Sequence, residues 1–121
     1  MICRRICTGL LAAASLAALA GCHSYHIDTT IQNRSGGAVK LLEVDYPNAS
    51  FGTDAIASGA DFHYRFQIQG SGPIKIQYTQ ADGKTASATG PALDQGQEGR
   101  LQILLLPNAK VEFQPAFKSK P

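Results

Sequence analysis

Apolar and polar residues alternate with a period of two along most of the chain after residue 24, the pattern of strands with one buried face. Tyr25, Ile27, Thr29 and Ile31 alternate with His26, Asp28, Thr30 and Gln32. Asn33-Arg34-Ser35-Gly36-Gly37 is a turn cluster that closes this first strand. Residues 38–46 form a second strand, ended by Pro47-Asn48. Its Leu41-Leu42 pair breaks the alternation, which predicts a bulge or a stretch buried on both faces. Residues 50–56 make a weaker strand, interrupted by Gly52. The cleanest alternation sets Phe62, Tyr64, Phe66 and Ile68 against His63, Arg65, Gln67 and Gln69. Ile74, Ile76 and Tyr78 against Lys75, Gln77 and Thr79 form the next.

Asp82-Gly83 is a tight-turn signal, because both residues tolerate positive φ. Residues 84–89 then return as a polar edge strand, and residues 90–99 read as a Gly/Pro/Gln-rich loop. Leu101, Ile103 and Leu105 lead a strand whose other face carries Leu104 and Leu106. Val111 and Phe113 lie in the last strand, and residues 118–121 read as a flexible tail. Seven or eight short strands separated by turn signals predict an all-β domain. The expected architecture is an antiparallel β-sandwich of immunoglobulin-like or transthyretin-like type, with a small β-barrel as the alternative. The four Tyr and five Phe read as core residues rather than a ligand platform.

The first 22 residues follow a different rule. Arg4 and Arg5 precede an apolar run of Leu and Ala over residues 8–20, which ends in Leu19-Ala20-Gly21-Cys22. A positive stretch, a short apolar stretch and small residues before a cut are the layout of a secretory signal peptide. The run is shorter than the ~20 apolar residues of a transmembrane helix. Leu19-Ala20-Gly21-Cys22 resembles the lipobox of bacterial lipoproteins with a type II signal peptide. That resemblance implies a diacylglyceryl thioether on Cys22, cleavage before it, and acylation of the new amino group with a chain such as palmitate. His23 after the cysteine, where aspartate would imply retention at the inner membrane, points the resemblance to the outer membrane. Tyr46-Pro47, Phe51-Gly52 and Gly90-Pro91 make the remainder similar to small uncharacterised bacterial lipoproteins.

The expected organisation is a cleaved signal peptide over 1–21, a lipidated N-terminus and tether over 22–24, a sandwich over 25–117 and a tail over 118–121. Processing changes the chemistry that composition suggests. The formal charge of +2 comes from 11 Lys+Arg against nine acids; without Arg4 and Arg5 the balance is zero. Cys3 and Cys7 would also leave and the Cys22 sulfur would be alkylated, so none of the three cysteines would remain a free thiol. Two acyl signals make a stable anchor. A two-residue tether, His23 and Ser24, reaches only ~7–10 Å, which would hold the domain against the headgroups.

Candidate chemistry is sparse. His23, His26 and Asp28 are weak candidates for a metal site, and the reading is that no metal is held, because two side chains do not complete a zinc shell. Asp61, His63 and Ser58 are too local for a catalytic triad, and no Gly-x-Ser-x-Gly elbow is present. Glu98 and Asp94 carry no spacing that defines a glycosidase pair. Gly70-Ser71-Gly72-Pro73 is a turn, with no Lys-Ser/Thr after it, so no cofactor is expected. No basic stripe suggests nucleic acid. Asn33-Arg34-Ser35 and Asn48-Ala49-Ser50 match the glycosylation triplet only incidentally. The expected function is a non-catalytic binding or scaffolding module, anchored through Cys22 at the periplasmic face of the outer membrane beside an envelope protein partner. A module binding glycans or peptidoglycan fragments is the alternative, and a small hydrolase ranks last. The edge strand over 84–89 is the place where a partner strand would add.

Overall fold

A computed structural model of the chain describes residues 25–118. They form strands β1 (Ile27–Asn33), β2 (Val39–Tyr46), β3 (Ala49–Ile56), β4 (Asp61–Phe66), β5 (Gly72–Thr79), β6 (Thr85–Leu93), β7 (Glu98–Leu106) and β8 (Lys110–Lys118), with no helix among the described residues. Two four-stranded sheets, β4-β1-β7-β8 and β3-β2-β5-β6, face one another as a β-sandwich without barrel closure. All neighbouring strands are antiparallel except β1 and β7, which run parallel.

Alternation decides what fills the gap between the sheets. Ile27 and Ile31 of β1 with Leu101, Ile103 and Leu105 of β7 face Val39, Leu42 and Val44 of β2 with Ile74, Ile76 and Tyr78 of β5. These central strands supply the most buried positions, as expected where both neighbours are paired. Burial of a Leu or Ile side chain contributes about 1.5–3 kcal/mol.

The paired leucines resolve as a bulge. Lys40 lies opposite Thr79 and Glu43 opposite Gln77, so Leu41 and Leu42 together oppose Tyr78. Leu42 is buried, whereas Leu41 is 70% exposed at φ 50°. A second slip falls between Pro73 and Lys75 of β5, where Gly90-Pro91 of β6 opposes Ile74. This corrects the loop expected over 90–99. β6 continues to Leu93, residues 94–97 make the turn, and β7 starts at Glu98. The reason is packing. The Phe113 ring and Ile74 occupy the space that a Cβ on Gly90 would enter, both at 2.7 Å, so the glycine stays paired.

Other boundaries shift less. Gly52 does not interrupt β3, because it sits opposite Glu43 with the Leu42 carbonyl pressed against its Cα hydrogens. Lys118, assigned to the tail by the sequence pattern, is the last residue of β8. Of residues 84–89, Thr85 to Thr89 lie at a sheet edge, in β6, and Lys84 precedes it.

Asn33 ends β1 fully buried and ties three segments together. Its side-chain amide donates to the carbonyls of Gly37 at 2.9 Å, Ile56 at 3.0 Å and Ala57 at 3.2 Å. Its Oδ1 accepts from the Ser35 hydroxyl at 2.6 Å and from the Ser35 backbone N–H at 3.2 Å. This nitrogen is enclosed, so the Asn33-Arg34-Ser35 triplet offers no accessible acceptor for a sugar.

Candidate functional site

The end of the sandwich where Tyr25 enters is defined by register. Ile27 lies between Phe66 and Gly99, and Gly99 lies opposite Phe117. The chain therefore enters at β1 and leaves at Lys118 on the same end. The residue 46–49 turn is also there: Tyr46 lies 4.2 Å from Phe66, and the Asn48 amide donates to the Gln69 carbonyl.

The outward face of β4-β1-β7 carries rows of side chains fixed by the same register. Arg65, Asp28 and Arg100 form the row nearest the entry end, followed by His63, Thr30 and Gln102, then Asp61, Gln32 and Leu104. Arg65 Nε lies 3.5 Å from Asp28 Oδ1, an exposed pair worth little to stability. A shallow depression at the entry end is lined by His26, Asp28, Arg65, Glu98, Arg100 and Lys118. Three fixed cations and two carboxylates make it slightly basic.

The candidate residues within 25–118 can be placed against this surface. Leu19, Ala20, Gly21, Cys22 and His23 lie outside the described residues. His26 precedes β1, and its Nδ1 is buried without a hydrogen-bond partner. Asp28 is turned to Arg65 rather than to His26. No cluster of three or more His, Cys, Asp or Glu occurs among the described residues. Asp61 and His63 share the outer face of β4 but serve other partners. Asp61 pairs with Arg34 at 3.5 Å, and His63 Nδ1 lies 3.1 Å from the Thr30 hydroxyl. No acid orients the imidazole toward Ser58, which sits in the turn before β4. Asp94 belongs to the β6–β7 turn, its N–H donating to Gln97 Oε1 at 2.9 Å, while Glu98 opens β7 beside the entry depression.

The aromatic residues divide. Phe51 stacks on Tyr64 at 4.1 Å and 14°, and Tyr46, Phe62 and Phe66 complete a column between β3 and β4. Tyr64 is 40% exposed, so the column closes one open side of the sandwich instead of lying wholly in the core. Burial, with Tyr64 nearby as the lesser cause, raises the Tyr46 hydroxyl above its ordinary pKa. Sequence reasoning placed these rings on inner faces but missed that β3 and β4 are both edge strands, each without a further strand to cover it.

No family model matches the chain, and no curated protein does. Among solved structures, it is similar to a protein from Eubacterium rectale determined by NMR, with a TM-score of 0.56 and 15% sequence identity. The likeness covers 75% of this chain and 88% of that one. At that identity it concerns the fold, which is the β-sandwich.

Proposed function

We propose that the protein is a lipid-anchored envelope lipoprotein whose sandwich is a non-catalytic binding or scaffolding module at the periplasmic face of the outer membrane. The observation that carries this reading is Leu19-Ala20-Gly21-Cys22 at the end of an apolar run, three residues before Tyr25. Cys22 takes the lipid, and the short stretch to β1 keeps the entry end at the headgroups. Arg65, Arg100 and Lys118 outnumber Asp28 and Glu98 at that end by one charge, a balance that suits an anionic surface. The depressions of the described residues are shallow and open, a shape that favours contact with a macromolecule over capture of a glycan fragment. The separate commitments of Asp61 and His63 support a non-catalytic role.

The test is expression of the full chain in a bacterium supplied with labelled palmitate. The wild type is expected to carry label, to begin at residue 22 and to fractionate with the outer membrane. Cys22→Ser is expected to lose the label and the membrane fraction together. A mature chain that starts elsewhere, or membrane attachment that survives Cys22→Ser, would overturn the reading.

A further inference from the structure

The charges at the entry end are not equally committed. Asp28 is held by Arg65 at 3.5 Å, and Glu98 is engaged in an interaction of its own. Arg100 and Lys118 have neither an ion pair nor a side-chain hydrogen bond among the described residues. Register sets these two cations close together. Arg100 of β7 lies opposite Ala116 and Glu98 opposite Lys118, so Arg100 and Lys118 are diagonal neighbours on the outward face. Diagonal positions of an antiparallel pair are ~7–8 Å apart, a gap that both long side chains can close on one anion. Ala116 is too short to fill the space between them. Both cations line the entry depression, whereas the other acids of this end, Asp45 and Asp94, do not.

We propose that Arg100 and Lys118 together bind the phosphate of an anionic phospholipid in the membrane that Cys22 anchors, and that this contact sets how the sandwich leans. The proposal rests on the lipoprotein reading. Cys22 lies three residues before Tyr25, and ~7–10 Å of tether cannot lift β1 clear of the headgroups. β7 is the neighbour of β1 and β8 the next strand, so both cations stand beside the point where the chain meets the lipid. Charge complementarity names the occupant. A guanidinium binds phosphate through two parallel hydrogen bonds, and an ammonium binds it as a point charge. Two exposed cations would hold a free ligand weakly, but the tether makes this encounter intramolecular. An anchor at β1 alone leaves the sandwich able to tip either way. On the second sheet this end has Lys75 opposite Asp45, whose charges cancel. The unpaired cations of β7 and β8 therefore turn the outer face of β4-β1-β7-β8 toward the bilayer, and β3-β2-β5-β6 toward the aqueous side.

The test uses the full chain, expressed and lipidated in a bacterium, then floated with vesicles of phosphatidylcholine with or without phosphatidylglycerol. A fluorophore is placed on Gln114→Cys, on the outer face of β8, or on Ser87→Cys, on the second sheet, and a quencher on the lipid headgroups. The ratio of quenching at 114 to that at 87 is expected to rise at least about twofold when phosphatidylglycerol is added, and to fall back as salt is raised. Arg100→Glu with Lys118→Glu is expected to abolish the rise without reducing flotation. Lys84→Glu, at the far end of the sandwich, should leave the rise intact. Flotation of the wild type with no rise would overturn the headgroup contact while the lipoprotein reading stands. A rise erased by inorganic phosphate, but not by chloride of equal ionic strength, would assign the pair to a free anion and overturn the proposal too. A wild-type chain that takes the thiol label, or that does not float, would defeat the lipoprotein reading and this proposal with it.

Discussion

Leu41 and Leu42 are chemically identical neighbours with opposite duties. Leu42 fills the core, while Leu41 stands in solvent with a left-handed backbone that costs an L-residue roughly 1–2 kcal/mol. Urea denaturation should separate them: Leu42→Ala is expected to lose about 2–4 kcal/mol, whereas Leu41→Asn should hold or gain up to ~1 kcal/mol. Equal losses would show that Leu41 packs against something. Tyr78 offers a second contrast, since its ring is 1% exposed and its hydroxyl is buried with no partner. Tyr78→Phe removes an unsatisfied polar group and is expected to raise stability by ~0.5–1 kcal/mol. Burial also raises the Tyr78 hydroxyl above its ordinary pKa. The folded state therefore holds this proton more tightly than the unfolded one. The associated stability is intact below the unfolded value of about 10 and is lost as pH rises through the folded value. Tyr78→Phe should accordingly unfold at higher pH than wild type in an alkaline titration followed by circular dichroism.

The elements show what local pattern can and cannot carry. The bulge in β2 was legible because two adjacent leucines cannot both obey a period of two. The β6 extension was not, because Gly90 and Pro91 are ordinary turn residues unless Phe113, more than twenty positions later, fills the space above them. Gly90→Val is expected to cost about 1–3 kcal/mol through overpacking against Phe113 and Ile74. Adding Phe113→Ala should recover part of that loss, and strictly additive losses would show that the ring is not the obstacle. The parallel pairing of β1 with β7 left no trace in either strand, since direction across seventy residues is set by the whole topology. Asn33 looked like a turn residue and proved to be the buried tie between three segments, because its hydrogen-bond partners come from elsewhere in the chain. For the candidate site the balance is reversed. The Leu19-Ala20-Gly21-Cys22 pattern on which the proposed anchor rests is entirely a matter of adjacent residues, while the row of Arg65, Asp28 and Arg100 exists only once β4, β1 and β7 are side by side.

At the scale of the molecule, the two sheets differ in how they depend on chain length. β3-β2-β5-β6 uses residues 39–93, whereas β1 is flanked by β4 and by β7, which ends at Leu106. Truncation after residue 97 should remove the parallel partner of β1 and expose Ile27 and Ile31. The expected result is loss of the cooperative thermal transition, checked by calorimetry; a retained sharp transition would mean that the second sheet is stable alone. The parallel pair also imposes a timetable. In a chain delivered N-terminus first, β1 is the earliest strand to arrive and among the last to be enclosed. Ile27 and Ile31 must wait, with one edge open, until residues 98–106 have emerged. That interval is the period of greatest exposure to wrong pairing, because such non-local contacts form slowly. A companion that shields β1 has work to do only until the seventh strand arrives.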